Sequence, residues 1–298
     1  MPELMNRDAT LRSFATHNGR FHADEVTACA LLLLFDLIDR NKIYRTRDPK
    51  VINQCEFICD VGGSYIPDEK IFDHHQSGYH GTMSSAGMIL AYLRDTRVIS
   101  HDLYHHLDQE LIFGVDAYDN GKELLNRNVA TFSHIISNFC PVHYDSTPEE
   151  EDETFHFAVD FAMGHLTRLI SRFDYIRSCR SLVKERMDTD SVCLFFNEGL
   201  PWIDSFFELG GENHPAKFVI MPAGKHWKLR GIPPNTSEMM KVRHPLPSSW
   251  AGLLENQLKK VSGIPGGIFC HKGRFISVWE TKEDAIKALE IVLKGDVK

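Results

Sequence analysis

The sequence predicts an α/β protein, with a mostly parallel sheet flanked by helices and then a smaller C-terminal α/β domain. Three observations predict it. Short apolar strands alternate with helical stretches through the N-terminal half, the pattern of βαβ units. Most of those strands stop at Gly, Asp or His turns. Beyond Asp190 a fresh set of strands begins, with two helices interleaved.

Taken in order, "LRSFATHN" (11–18) reads as a strand entering a polar turn at Gly19. "ADEVTACALLLLFDL" (23–37) is rich in helix formers and apolar enough to be buried. "KIYRTRD", "CEFICDVGG" and "EKIFDHH" are strand-like, the second closed by Gly62 and Gly63. A helix opens at Ser84 or Ser85, and another runs through "DLYHHLDQELIFGVDAYDNG" to the Asp/Asn/Gly cluster at 116–121. "DSTPEEEDE" (145–153) reads as a solvated acidic connection, followed by a helix over about 155–186. The later strands are "SVCLFF", "AKFVIMPA", "WKLRGI" and "IFCHKGRFISVW", with helices near 250–260 and 282–294. The expected domains are 1–145, a linker and connecting helix over 146–190, and 191–298.

Composition narrows the function classes. The chain is 43% hydrophobic and 25% charged, ordinary for a soluble globular protein. Its longest purely apolar run, 28–35, is far short of the about 20 residues a bilayer span needs, so no membrane role is expected. The N-terminus lacks the basic-then-apolar order of a secretory signal and shows little of a mitochondrial presequence. Seven scattered cysteines without a CxxC pair suit reduced thiols. Net charge is −8, but Lys217–Arg274 holds ten Lys/Arg against Glu238 and Glu255, leaving −16 elsewhere. That split suits metal cations in one half and phosphates in the other.

Four strand or helix ends carry the chemistry: His17, His22 and Asp24 in "HNGRFHAD"; Asp60 after "EFIC"; Asp73, His74 and His75 in "DHH"; Asp116 and Asp119 in "GVDAYDNG". Singly, each passes as a turn cap or surface group. Together they would meet in the crevice at the carboxyl ends of parallel strands, where so many imidazoles and carboxylates are costly without cations. Mixed N and O donors without thiolate suit Mn²⁺, Fe²⁺, Co²⁺ or Zn²⁺, with Mg²⁺ also compatible, and the donors suffice for two ions.

The ordered set "THNGRFHADEVTACALL", "DVGG", "FDHHQ" and "DAYDNG", with "GG-IF-H" near the C-terminus, resembles the DHH phosphoesterase superfamily. Within it, the chain is similar to the melanocyte-proliferating-gene (MYG) exonuclease family along nearly its whole length. The resemblance implies a two-metal, Mn²⁺-dependent phosphodiesterase acting on nucleic acid from the 3′ end, with single-stranded RNA favoured. It places His17, His22 and Asp60 on one metal, and Asp24, Asp60, His74 and either Asp116 or Asp119 on the other. Asp73 would orient His74, and His75 would face the substrate phosphate. HxxxxHxD replaces the HxxxDxD of most of the superfamily, a feature the MYG family shares; it leaves open whether His17 binds metal or substrate. The family also implies mitochondrion or nucleus, with cytosol and an oligomer left open.

In the basic half, "GIPGGIFCHKGRF" offers Gly266 and Gly267 for close backbone approach to a phosphate, followed by His271, Lys272 and Arg274. By resemblance it is the substrate-binding element. Trp227, Trp250, Phe269 and Phe275 stand nearby, and single-strand binders combine cations with aromatic faces; buried core is the competing role for the tryptophans. His101 and His105 have metal-pair spacing but read as a solvated helix face, and His214 and His226 stand alone. Two rival classes remain: a small-molecule phosphoesterase for pyrophosphate or short oligonucleotides, and a non-catalytic metal- or RNA-binding protein. The extended basic segment favours the exonuclease over the first.

Overall fold

The computed structural model describes residues 9–122, 128–143 and 145–295. The extreme N-terminal segment, read above for targeting signals, lies outside them over residues 1–8. The chain forms two compact units, Met1–Phe173 and Asp174–Lys298.

The first unit contains β1 (Thr10–Thr16), α1 (Ala23–Leu34), β2 (Ile43–Arg45), α2 (Pro49–Ile52), β3 (Cys55–Cys59), β4 (Tyr65–Ile66) and β5 (Ile71–Phe72). Then come α3 (Ser85–Asp95), α4 (His101–Leu107), α5 (Phe113–Asp119) and α6 (Phe132–Ser137). The sheet order is β2-β1-β3-β5-β4. All pairings are parallel except β4 with β5, so the parallel α/β expectation holds. Alternation along the strands sorts the core. Phe14, Phe57 and Phe72 pack with residues of α1 and α3, while Ala15 and Ile58, on the opposite face, join Ile52 of α2 in a separate cluster. Each buried phenylalanine contributes about 1.5–3 kcal/mol. Helix α1 is buried from Ala23 to Leu32. It stops at Leu34, short of the expected Leu37, and Asp36 turns left-handed at φ 57°.

A π-helical turn at Asp108–Ile112 joins α4 to α5, so the helical stretch expected over these residues is continuous but carries a wider turn. Such a turn shifts the helical phase of the residues after it, here the "DAYD" segment.

Helix α7 (Pro148–Met187) runs through the boundary between the units. It begins earlier than the expected residue 155, since Pro148–Glu153 are helical, though largely exposed. Thr147 Oγ1 accepts from the Glu150 amide (3.2 Å), and Glu150 Oε2 accepts from the Thr147 amide (3.0 Å). Proline in the first turn lacks only an amide proton the helix does not need, and the clustered acids face the positive end of the helix dipole.

The second unit has β6 (Cys193–Phe195), α8 (Ile203–Glu208), β7 (Phe218–Ala223), β8 (His226–Gly231), α9 (Glu255–Ser262), β9 (Gly267–Cys270), β10 (Ile276–Trp279) and α10 (Lys282–Lys294). Its sheet order is β6-β7-β8-β10-β9, parallel only between β6 and β7. The run "IFCHKGRFISVW", read above as one strand, is a hairpin. Arg274 at φ 56° donates its amide to the His271 carbonyl (2.8 Å), and the Gly273 amide donates to His271 Nδ1 (2.9 Å). None of the seven cysteines is in a disulfide, as the sequence suggested. His101 and His105 are exposed on α4.

Candidate metal centre

The carboxyl ends of β1, β3 and β5 converge. His17 follows β1; His22, Asp24 and Glu25 stand at the N-terminus of α1; Asp60 follows β3; Asp73, His74 and His75 follow β5; Asp119 ends α5. Asp60 sits in the left-handed region at φ 58°. Aspartate adopts this conformation more readily than most non-glycine residues, and here it turns the chain at the end of β3.

Asp60 is the centre of the arrangement. Its Oδ2 lies 3.1 Å from His17 Nε2, and its Oδ1 lies 3.3 Å from His74 Nε2. His17 Nε2 is also 3.2 Å from Glu25 Oε1, while His74 Nε2 is 3.0 Å from Asp119 Oδ2 and 4.0 Å from Asp24 Oδ2. Three groups with metal-ligating spacing result: His17, His22, Glu25 and Asp60; Asp60, His74 and His75; His22, Asp24 and Asp119.

These residues fit divalent cations on physical grounds. Both oxygens of Asp24 and Oε2 of Glu25 are buried with no hydrogen-bond partner among the described residues. Buried orphans of this kind are costly and point to an absent partner. Burial, reinforced by Asp60, Glu25 and Asp119, pushes the Asp24 carboxyl well above its usual range. Burial opposes the charge on His17, yet Asp60 and Glu25 outweigh it and raise its pKa to about 10. Burial likewise opposes His74, and Asp119 and Asp60 raise it to about 10. Asp60 resists its own burial because His17 and His74 hold it below the carboxylate range.

Asp73 is not placed against His74, as the resemblance implied, but against His75. Its Oδ1 meets His75 Nδ1 at 2.9 Å and accepts the His75 amide at 3.0 Å, and its Oδ2 accepts the Gly63 amide at 2.6 Å. The His75 ring is thereby held with its other nitrogen outward, and its side chain is 63% exposed. It lines a cleft of about 740 Å³ together with His17, His22, Asp60, Arg20 and Arg47.

The two aspartates of "DAYD" separate. Asp119 joins the cluster. Asp116 Oδ1 instead accepts from the Ser84 amide (2.9 Å), Ser84 Oγ (2.6 Å) and the Gly87 amide (3.1 Å) at the start of α3. A side chain at Gly87 would collide with it, since a Cβ there would overlap Asp116 Oδ2. Burial raises Asp116 to about 6 despite the Ser84 and Gly87 hydrogen bonds.

Glu25 was not singled out from the sequence. It is fully buried, and its Oε1 also accepts the His22 amide at 2.8 Å. The legible signal was its place three residues after His22, where a helix-start carboxylate reaches back to the capping residue. Arg20 and Arg47 were passed over too. In the second unit, the absent side chains of Gly266 and Gly267 admit Asp284 and Leu258, which a Cβ would overlap at Gly266 and crowd at Gly267. His271, Lys272 and Arg274 lie in the β9–β10 turn. Trp250 is core, packed edge-on against Trp279.

Fold and centre together define an α/β protein whose parallel strand ends gather imidazoles and carboxylates into a composite site suited to divalent cations. The sequence matches the MYG1 exonuclease family, described as "Uncharacterised protein family (UPF0160)", over residues 13–293, and the chain belongs to that family. It is 52% identical over 283 residues to the "MYG1 protein" of Chlamydia trachomatis serovar D, covering 95% of this chain and 97% of that one. It is 31% identical over 321 residues to the "MYG1 exonuclease" of Rattus norvegicus, covering 93% and 84%. A crystal structure of RecJ in complex with Mn²⁺ from Thermus thermophilus aligns at 12% identity and a TM-score of 0.27, covering 95% of this chain and 52% of that one. So loose a superposition carries no argument about the site.

Proposed function

We propose that the chain is a two-metal phosphodiesterase, a 3′–5′ exonuclease on single-stranded RNA. The observation that carries this is the bridging position of Asp60, one oxygen toward each half of the centre. His17, His22 and Glu25 would complete one cation site, and Asp24, His74 and Asp119 the other. A cation pair so held supplies an activated water and positive charge to offset the phosphate oxygens. The relatives named as exonucleases, the rat protein among them, support the choice of a phosphodiester substrate.

The chain's own residues do the rest. Asp73 fixes the His75 ring through Nδ1, leaving Nε2 to hydrogen-bond a non-bridging oxygen or pass a proton to the leaving oxygen. Arg20 and Arg47 on the cleft wall suit a phosphodiester. In this reading residues 1–145 form the catalytic domain, 146–190 the connection, and 191–298 hold substrate with the His271–Arg274 turn. Mn²⁺ suits the mixed imidazole and carboxylate set, and Mg²⁺ suits it less.

The test is cleavage of 5′-labelled single-stranded RNA with Mn²⁺, beside His74→Ala, with pyrophosphate and a dinucleotide in parallel. A ladder shortening from the 3′ end, absent in the variant, is expected. Phosphate release from the small substrates with intact RNA would overturn the substrate while keeping the centre.

A further inference from the structure

Strand β8 carries a basic row that the metal centre does not use. Side chains along a strand alternate between faces. Leu229 packs with Leu258, Ala285, Ala288 and Leu289 on the side of α9 and α10, so His226, Lys228 and Arg230 share the opposite face. Residues paired across strands lie on the same face. Register sets Lys228 beside Val278 of β10, and Val278 beside Phe269 of β9. Arg230 pairs with Ile276, whose carbonyl accepts the His271 amide at 3.0 Å. Across β7 the same face is apolar: Val219 and Met221 sit in a core with Trp202 and Phe206.

The cations on this face are uncompensated. Arg230 Nε and His226 Nδ1 are buried without a hydrogen-bond partner among the described residues. Burial lowers the pKa of both Lys228 and Arg230, and the neighbouring Arg230 lowers Lys228 further; among the described residues no carboxylate acts on either. Two half-buried like charges without an acid are costly unless an anion completes the surface. Beyond Val278 on the same face stands a half-buried Phe269, and His271 meets Phe275 with ring centroids 4.4 Å apart.

We propose that this face of β8, β10 and β9 is a track for single-stranded nucleic acid. Lys228 and Arg230, about 6.5–7 Å apart along the strand, take backbone phosphates, and Phe269 offers its ring to a base. The track rests on the phosphodiesterase reading and extends it to a substrate longer than the reacting nucleotide. Cations in line beside an aromatic platform are how single strands are held without sequence preference. The ring favours a nucleic acid over an acidic peptide, which has no base to stack.

The test is fluorescence anisotropy of the full chain with a labelled short oligouridylate, in EDTA so that it is not cut, over a salt series. The Lys228→Gln/Arg230→Gln double variant is expected to bind at least about tenfold more weakly. Its log–log salt slope should fall by about 1.4, the loss of two single-strand phosphate contacts. Lys228→Arg/Arg230→Lys should keep affinity and slope, which separates charge from folding. Phe269→Leu should weaken binding about fivefold or more, the lower end of base-stacking losses. Unchanged affinity and slope in the Gln variant would overturn the track, as would an equal loss for an oligoglutamate of the same charge. A wild-type chain that binds RNA through these residues but never cuts it would sink the exonuclease reading alone. Cleavage by wild type and Gln variant with equal RNA affinity would sink the track alone.

Discussion

The strands of the first sheet carry charge at both ends. At the amino ends of β1, β3 and β5, Arg12 pairs with Asp36 and Asp39, Lys42 with Asp39, and Lys70 with Glu56. At the carboxyl ends, Asp24, Glu25, Asp60 and Asp119 face His17 and His74, with no Lys or Arg paired to them among the described residues. Size does not tell the two apart: the depressions there measure about 770 and 740 Å³. Nor does backbone strain, since Arg12 sits at φ 62° and Asp60 at φ 58°. Compensation does. At the amino end opposite charges meet at the surface, and none of the paired atoms is a buried orphan. At the carboxyl end one sign dominates in a buried place and several oxygens lack partners among the described residues. A charge cluster that satisfies itself is structural; one that cannot is waiting for a ligand.

The largest effect expected on this contrast comes from the two aspartates of α5. Asp119→Ala should cost one of two bound Mn²⁺ ions and reduce RNA cleavage at least about 100-fold, the upper range seen even for outer-shell partners of metal ligands. Asp116→Ala should keep both ions but lower stability by about 1–2 kcal/mol, because the Ser84 and Gly87 amides lose their acceptor. Metal content by elemental analysis and urea unfolding separate the outcomes. Loss of an ion from Asp116→Ala would break the comparison.

A smaller effect concerns protons. In the metal-free chain His17 and His74 have folded pKa values raised to about 10, against about 6.5 unfolded. Their contribution to stability is therefore complete below pH 6.5 and is lost as pH rises toward 10. The raised Asp24 carboxyl acts in the same direction. Denaturation of the EDTA-treated chain should show that decline. Mn²⁺ should remove it and release at least about two protons per chain at pH 7, from His17 and His74, measured by calorimetry in buffers of different ionisation enthalpy. Proton-neutral metal binding would place the ions elsewhere.

The smallest effect belongs to the amino end. Asp39→Asn removes the partner of Arg12 and Lys42. Exposed pairs contribute little and are screened, so the unfolding midpoint should shift only slightly, less in high salt, with Mn²⁺ content unchanged. A loss of Mn²⁺ there would mean that the two ends are coupled through the strands.

Much of the centre was legible because its signals are local. Apolar strands ending in His and Asp, a Gly pair after Asp60, and a helix-start carboxylate follow from strand period and turn chemistry. Glu25 had such a signal and was still missed, since its neighbour Asp24 drew the metal role. The His226, Lys228 and Arg230 alternation was also readable, but not that the opposite face would be the one covered by α9 and α10. The hairpin at 267–279 was obscured because "HKGRF" looks continuous with its strands until Arg274 turns left-handed.

By itself the sequence determined the fold class, the donor types, their order and the basic half, all consequences of spacing along the chain. Tertiary structure alone decided that Asp60 stands between His17 and His74, that Asp119 rather than Asp116 joins them, that Asp73 holds His75, and that Gly266 packs on Asp284. The first two of these outcomes depend on the β2-β1-β3-β5 order and on the helical phase set by the π-turn at Asp108–Ile112. The strand order is set by pairing between residues far apart in the chain, and no local pattern records it.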